Sequence, residues 1–248
     1  MRKLLYILTA LILFSSCEKS TISPEENPLL TKPQNCEQSD LVKNQYSNDA
    51  YKLAVELMKH DEVNTSSIQI PTEYVQKAMD ALMVVYNATE IPARDLVIDT
   101  YNIHALTTPN RFMVGLDTAY PWTNNWIHGN KNTGNNTIDQ LLGNNNIEIV
   151  EYLGFIETVI LEAKTPLNAS GLLSTLNGIG GIKRVEYEQT LGDGNDIEVR
   201  SFDDYLEMTY SVGYGDCASG CRFRSYWQFK VYNDCSIEYV GNFGDPAP

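Results

Sequence analysis

The sequence predicts an α+β fold: a mostly antiparallel sheet with two or three covering helices. Three observations carry that expectation. Apolar residues recur at helical spacing in the first part of the chain, they alternate at period two further on, and in the last third strands follow one another through turn-rich segments with no helix between them.

The first helix opens near Ser47, where Ala50, Leu53, Ala54, Leu57 and Met58 fall at i, i+3, i+4, i+7 and i+8 and so share one face. Pro71 suits the start of a second helix, in which Val75, Ala78, Met79, Leu82 and Tyr86 repeat the stripe. Both helices read as elements that cover a sheet. Beyond Pro92 the period shortens, and DLVIDTYNIHAL, with Val97, Tyr101 and Ile103 on one side, reads as a strand; so does RFMVGLD, with Phe112, Val114 and Leu116. The stretch from Thr118 to Asn146 is polar and rich in Asn, and Thr137 with Gln140 fits a capping box opening a short helix over IDQLL. IEIVEYLGF and IETVILEA follow, then a helix over LLSTL ended by Gly178, Gly180 and Gly181, then the strand IKRVEYEQTL. GDGND, from Gly192 to Asp196, separates two alternating runs and reads as a hairpin loop, because Asp-Gly and Gly-Asn supply positive φ angles. Alternating strands on both sides of Asn233-Asp234 close the chain, and no internal repeat is visible.

The first residues, MRKLLYILTALILFSSC, carry a positive Arg2-Lys3 start, an apolar run from Leu4 to Phe14, and the small pair Ser15-Ser16 before Cys17. That run is too short to span a bilayer, which takes about 20 apolar residues. Phe14-Ser15-Ser16-Cys17 resembles the lipobox of bacterial lipoproteins, with Phe14 where leucine is usual. The resemblance implies a signal peptide over 1–16, an acylated Cys17 (palmitate among its chains) and a lipid-anchored protein of the cell envelope. Glu18 follows the cysteine in place of the Asp that retains some lipoproteins in the inner membrane, so the outer membrane is the expected residence, on either face. The alternative is an ordinary secretory signal with a chance cysteine.

Residues 17–45 are rich in Ser, Pro, Glu and Asn, the composition of a solvated tether, and 46–248 are expected to form a single α+β domain. Loss of Arg2 and Lys3 with the signal takes the formal charge from -14 to -16, which makes nucleic acid an unfavourable partner through repulsion. Five cysteines leave an even set once Cys17 is set aside: Cys36, Cys217, Cys221 and Cys235, in a compartment that favours disulfides. The Ala-Ser-Gly spacer turns the chain back between Cys217 and Cys221, so the first pairing is Cys217–Cys221 with Cys36–Cys235; the alternative is Cys221–Cys235 with Cys36–Cys217.

GYGDCASGC, followed by a Tyr-Trp strand and a closing hairpin, resembles the C-terminal GxGDCxxGC signature of uncharacterised envelope proteins of Bacteroidetes-type bacteria. That resemblance implies a location and no activity.

Candidate chemistry is sparse. Trp122, Trp126 and His128 share a polar loop and are candidates for ligand binding, and Arg222 and Arg224 are candidates for an anion or partner contact. Asp193, Asn195 and Asp196 could offer oxygens to calcium, and their loop resembles a single turn of calcium-binding glycine-rich repeats, but one copy lacks the stacked neighbour such repeats use. The cysteine spacing is not Cys-x-x-Cys, and neither G-x-S-x-G nor S-x-x-K occurs beyond the signal, so no catalytic residue and no cofactor are expected. The reading is a non-catalytic outer-membrane lipoprotein that binds a protein partner in the envelope. One alternative is a carbohydrate- or peptide-binding module built on exposed Trp122 and Trp126. Another is a hydrolase, whose minimum support would be a cleft joining His128 or clustered carboxylates.

Overall fold

The computed structural model describes residues 29–30, 40–63, 65–188 and 193–248. The signal 1–16, Cys17 and Cys36 lie outside the described residues. The fold is α+β, with its strands divided between two antiparallel sheets, each covered by its own helices.

In chain order, β1 (Leu29–Leu30) precedes α1 (Asp40–His60), α2 (Thr72–Asn87) and the short α3 (Pro92–Asp95), which runs into a π-helical turn over Leu96–Thr100. α1 begins well before Ser47, so residues 40–45 belong to the folded domain and not to a tether. Val42 and Tyr46 are buried on the same side as Ala50 and Leu53, and this draws the helix back to Asp40 at its first turn. The segment after Pro92 is helical and not a strand: Pro92 occupies the first helical position, and Val97 and Tyr101 are four residues apart, one helical turn. His104 accordingly lies in the loop that follows and in no strand.

The first sheet to form along the chain contains β2 (Arg111–Leu116), β3 (Ile147–Leu153), β4 (Thr158–Ala163) and β5 (Ile182–Tyr187), in the order β3-β4-β2-β5. Between its strands come α4 (Thr123–Ile127), α5 (Asn136–Asn144) and α6 (Ala169–Asn177). Asn135, not Thr137, caps α5: its side chain accepts from the Thr137 N–H, because the helix starts two residues before the capping-box reading places it. Phe112, Val114 and Leu116 face inward with Trp126, Leu161 and Leu172, each removed from water and contributing about 1.5–3 kcal/mol. α6 packs so closely on the 65–68 loop that a Cβ on Gly171 would collide with the Ser67 carbonyl oxygen.

The second sheet has the order β1-β9-β8-β7-β6, from β6 (Asp196–Ser201), β7 (Tyr205–Tyr214), β8 (Phe223–Tyr232) and β9 (Ile237–Gly244). Met208, Tyr210, Trp227 and Phe229 form its inner face against Leu53 and Leu57 of α1 and Leu82 and Val85 of α2. The outer face is polar: Arg200, Glu207, Lys230 and Glu238 sit opposite one another across four strands with alternating sign. Tyr232 donates to Glu238 there at 2.6 Å, which pushes its phenol pKa up to about 12.

The GDGND passage is not a hairpin loop. β5 pairs with β2 and β6 with β7, so this stretch carries the chain from one sheet to the other. Turn-forming residues permit a change of direction without naming the strand that pairs next.

Candidate functional site

Beside its apolar stripe, α1 carries a polar one. Asp49, Lys52 and Glu56 stand at i, i+3 and i+7 and face the loop after the π turn and the outer edge of β6. Asp49 is 2% exposed and accepts from the His104 Nδ1–H and the Ala105 N–H, each at 2.7 Å. Lys52 donates to Glu56 at 2.7 Å, to Asp196 at 3.1 Å and to the Ile197 carbonyl at 2.5 Å. Glu56 also accepts from the Val199 N–H at 3.1 Å, and Asp196 from the Leu106 N–H at 2.8 Å.

Burial dominates the electrostatics of this stripe. It raises the Asp49 carboxyl above its ordinary value, with the bond from His104 pulling back, and raises Glu56, with Lys52 pulling back. Deeper in, the Tyr46 and Tyr210 hydroxyls are buried without a hydrogen-bond partner among the described residues, and burial followed by the nearby Asp49 raises the Tyr46 phenol.

A cleft of about 310 Å³ opens beside the stripe, between α1, the 106–109 loop, the start of α6 and Tyr187 at the end of β5. It lies where the two sheets' layers meet, a frequent place for small-molecule sites. Lys52, Glu56 and Asp196 line one part of it, and Lys59, one turn further along α1, makes no ion pair among the described residues. Asn168 lines the cleft at 2% exposure; its Nδ2 donates to the Thr65 and Ser67 carbonyls, and its Oδ1, shielded from solvent, has no partner among the described residues. Ser170 and Tyr187 meet there through their hydroxyls at 3.3 Å. Both cleft carboxylates are held by Lys52 and backbone N–H groups, which suits them to accepting hydrogen bonds from a ligand more than to transferring protons.

The indoles expected to bind a ligand are core residues. Trp126 is fully buried, Trp122 is 9% exposed, the two rings meet edge to face at 5.1 Å, and Trp122 donates to the Gly180 carbonyl. No ring face is left for a ligand, which overturns the binding-module reading at these residues. The Asn-rich composition predicts a surface loop, whereas Trp126 within α4 and Trp122 at its N-cap both turn inward. His128 is exposed, and its Nδ1–H donates to the Asn124 carbonyl, closing that short helix.

Cys217 and Cys221 form a disulfide with Cα atoms 3.9 Å apart. Cys235 is also disulfide-bonded, and its partner lies outside the described residues. Arg224 is held inside the fold, donating to Asp193 at 2.5 Å and to Ser211 at 2.8 Å, while Arg222 is exposed and lies over the Phe223 ring. Asp193 also accepts from the Gly194 and Cys221 N–H groups, and Arg224 above all holds its carboxyl below the ordinary value. Asp193 and Asp196 thus serve different cations, Arg224 and Lys52, and half-buried Asn195 adds no shared centre; among the described residues no group of three His, Cys, Asp or Glu side chains is placed to hold a metal.

Sequence reasoning passed over Asp49, Lys52, Glu56 and Tyr187. For the first three the signal was the helical spacing of polar residues within α1, visible beside the apolar stripe used to find the helix, whereas Tyr187 ends β5 and carried no such signal. No family model, curated protein or solved structure matches this chain.

Proposed function

We propose that this chain is an outer-membrane lipoprotein, anchored through acylated Cys17 and non-catalytic, that binds a protein partner in the cell envelope. The observation that carries the compartment is the disulfide chemistry. Cys217–Cys221 and the disulfide-bonded Cys235 belong to an oxidising environment, which agrees with an exported chain. Cys17 and Cys36 are the two other cysteines of the sequence, and a Cys36–Cys235 pairing would leave Cys17 for a lipid.

The partner surface is the tip of the β3–β4 hairpin. Phe155 is 85% exposed and Ile156 37%, on a tight turn closed by Glu157 at φ 47°. A large apolar side chain held in water on a rigid turn fits capture by a pocket on another protein. The tip belongs to the sheet that β1 does not join.

A photo-crosslinking residue in place of Phe155, introduced into the producing cell, should yield a discrete adduct with one envelope protein. Cys17→Ser should release the protein from the membrane fraction. A membrane-bound Cys17→Ser variant would refute the anchor, and no adduct from position 155 would refute the partner surface.

A further inference from the structure

We propose that the cleft between α1, the 106–109 loop and the start of α6 binds a neutral, hydroxyl-rich ligand the size of a single sugar ring. This inference is independent of the anchor and of the hairpin tip.

The argument starts from the hydrogen-bonding capacity left in the cleft. Every proton of Lys52 is already directed, to Glu56, Asp196 and the Ile197 carbonyl. Glu56 accepts one bond on each oxygen and is part-exposed, so each oxygen keeps a lone pair toward the cleft side. Lys59 and the Thr107 and Thr108 hydroxyls supply donors on the opposite account. A ligand must therefore donate and accept in close alternation, which is what adjacent hydroxyl groups on a ring do.

Charge and shape narrow the class. Lys52 and Lys59 balance Glu56 and Asp196, so the lining has no formal charge to favour an anion or a cation. Leu106, Pro109 and the Tyr187 ring give an apolar wall against which the C–H face of a sugar can pack. A volume of about 310 Å³ is at the small end for ligand sites, enough for one ring and not for a chain of them.

The test is ligand-observed saturation-transfer NMR on the full-length mature protein with glucose, galactose, mannose and N-acetylglucosamine, beside benzoate and spermidine as charged probes. At least one of the four sugars should show transfer, and neither charged probe should compete with it. Tyr187→Leu should weaken that sugar at least tenfold. Because Tyr187 also touches Phe112, Lys59→Ala and Thr108→Val serve as surface variants that leave the core intact, and each should weaken binding severalfold. Tyr226→Ala, on the outer face of the second sheet, should change nothing. No transfer from any of the four sugars, displacement by benzoate or spermidine, or binding that survives all three cleft variants would overturn the proposal.

Discussion

Lys52 and Glu56, one helical turn apart on α1, together occupy the outer edge of β6 as a neighbouring strand would. Lys52 donates to the Ile197 carbonyl and Glu56 accepts from the Val199 N–H, while the two side chains pair with each other at 2.7 Å. An uncovered edge strand offers its free N–H and C=O groups to other chains, and here a helix answers them with side chains.

Lys52→Ala should therefore cost about 1.5–3 kcal/mol, the range for hydrogen bonds to charged groups, because the part-buried Glu56 and Asp196 lose their shared cation. Urea unfolding measures the loss. Size-exclusion chromatography should also show self-association through the bared β6 edge; unchanged stability would mean that this edge needs no cover.

Replacing Cys221 with Ser should lower the melting temperature under oxidising conditions. The chain-entropy model assigns so short a loop roughly 2 kcal/mol. Asp193→Ala should act on the same loop, since Asp193 accepts from the Cys221 N–H and from Arg224. The two changes share partners, so the double variant should lose less than the sum of the singles; strict additivity would separate the loop from the crossover.

Stability should carry an acid-side gain from α1. Asp49 and Glu56 have raised pKa values in the fold, so the folded chain binds protons more readily than the unfolded one. From these groups alone, stability rises as pH falls from their raised values toward the ordinary 3.8 and 4.5, and is lost as pH climbs back through that interval. Glu56→Gln should flatten the slope of stability against pH in this window, read by thermal melts at stepped pH. An unchanged slope would assign the effect elsewhere.

Gly171→Ala should destabilise the fold by about 1–3 kcal/mol, since the new methyl meets the Ser67 carbonyl oxygen and the backbone has to shift. Gly143→Ala, which meets open space within α5, is the control and should be neutral or stabilising in the same assay.

Much of the fold was readable because apolar periodicity reports burial directly. Leu53, Leu57, Phe112, Val114 and Leu116 all point where their spacing places them. The π turn over Leu96–Thr100 was missed because β-branched residues bias a short segment toward strand, while Pro92 and the four-residue spacing of Val97 and Tyr101 decide for helix. The cleft was illegible for a different reason. Its walls come from α1, the 106–109 loop, α6 and β5, and only the pairing of β5 with β2 and β6 with β7 brings Tyr187 and Asp196 to face Lys52. The indoles failed as a site because composition around Trp122 and Trp126 describes the loop's surface and not the direction in which α4 turns its rings.

β1 lies antiparallel to β9, with Leu29 opposite Tyr239, and Cys235 at the turn before β9 is disulfide-bonded. Tension applied from the N-terminal side would enter the fold where β1 pairs with β9 and would load that pairing in shear. α1, together with the cleft beside it, sits behind that load path, so pulling on the protein would strain its far edge before it disturbed the pocket.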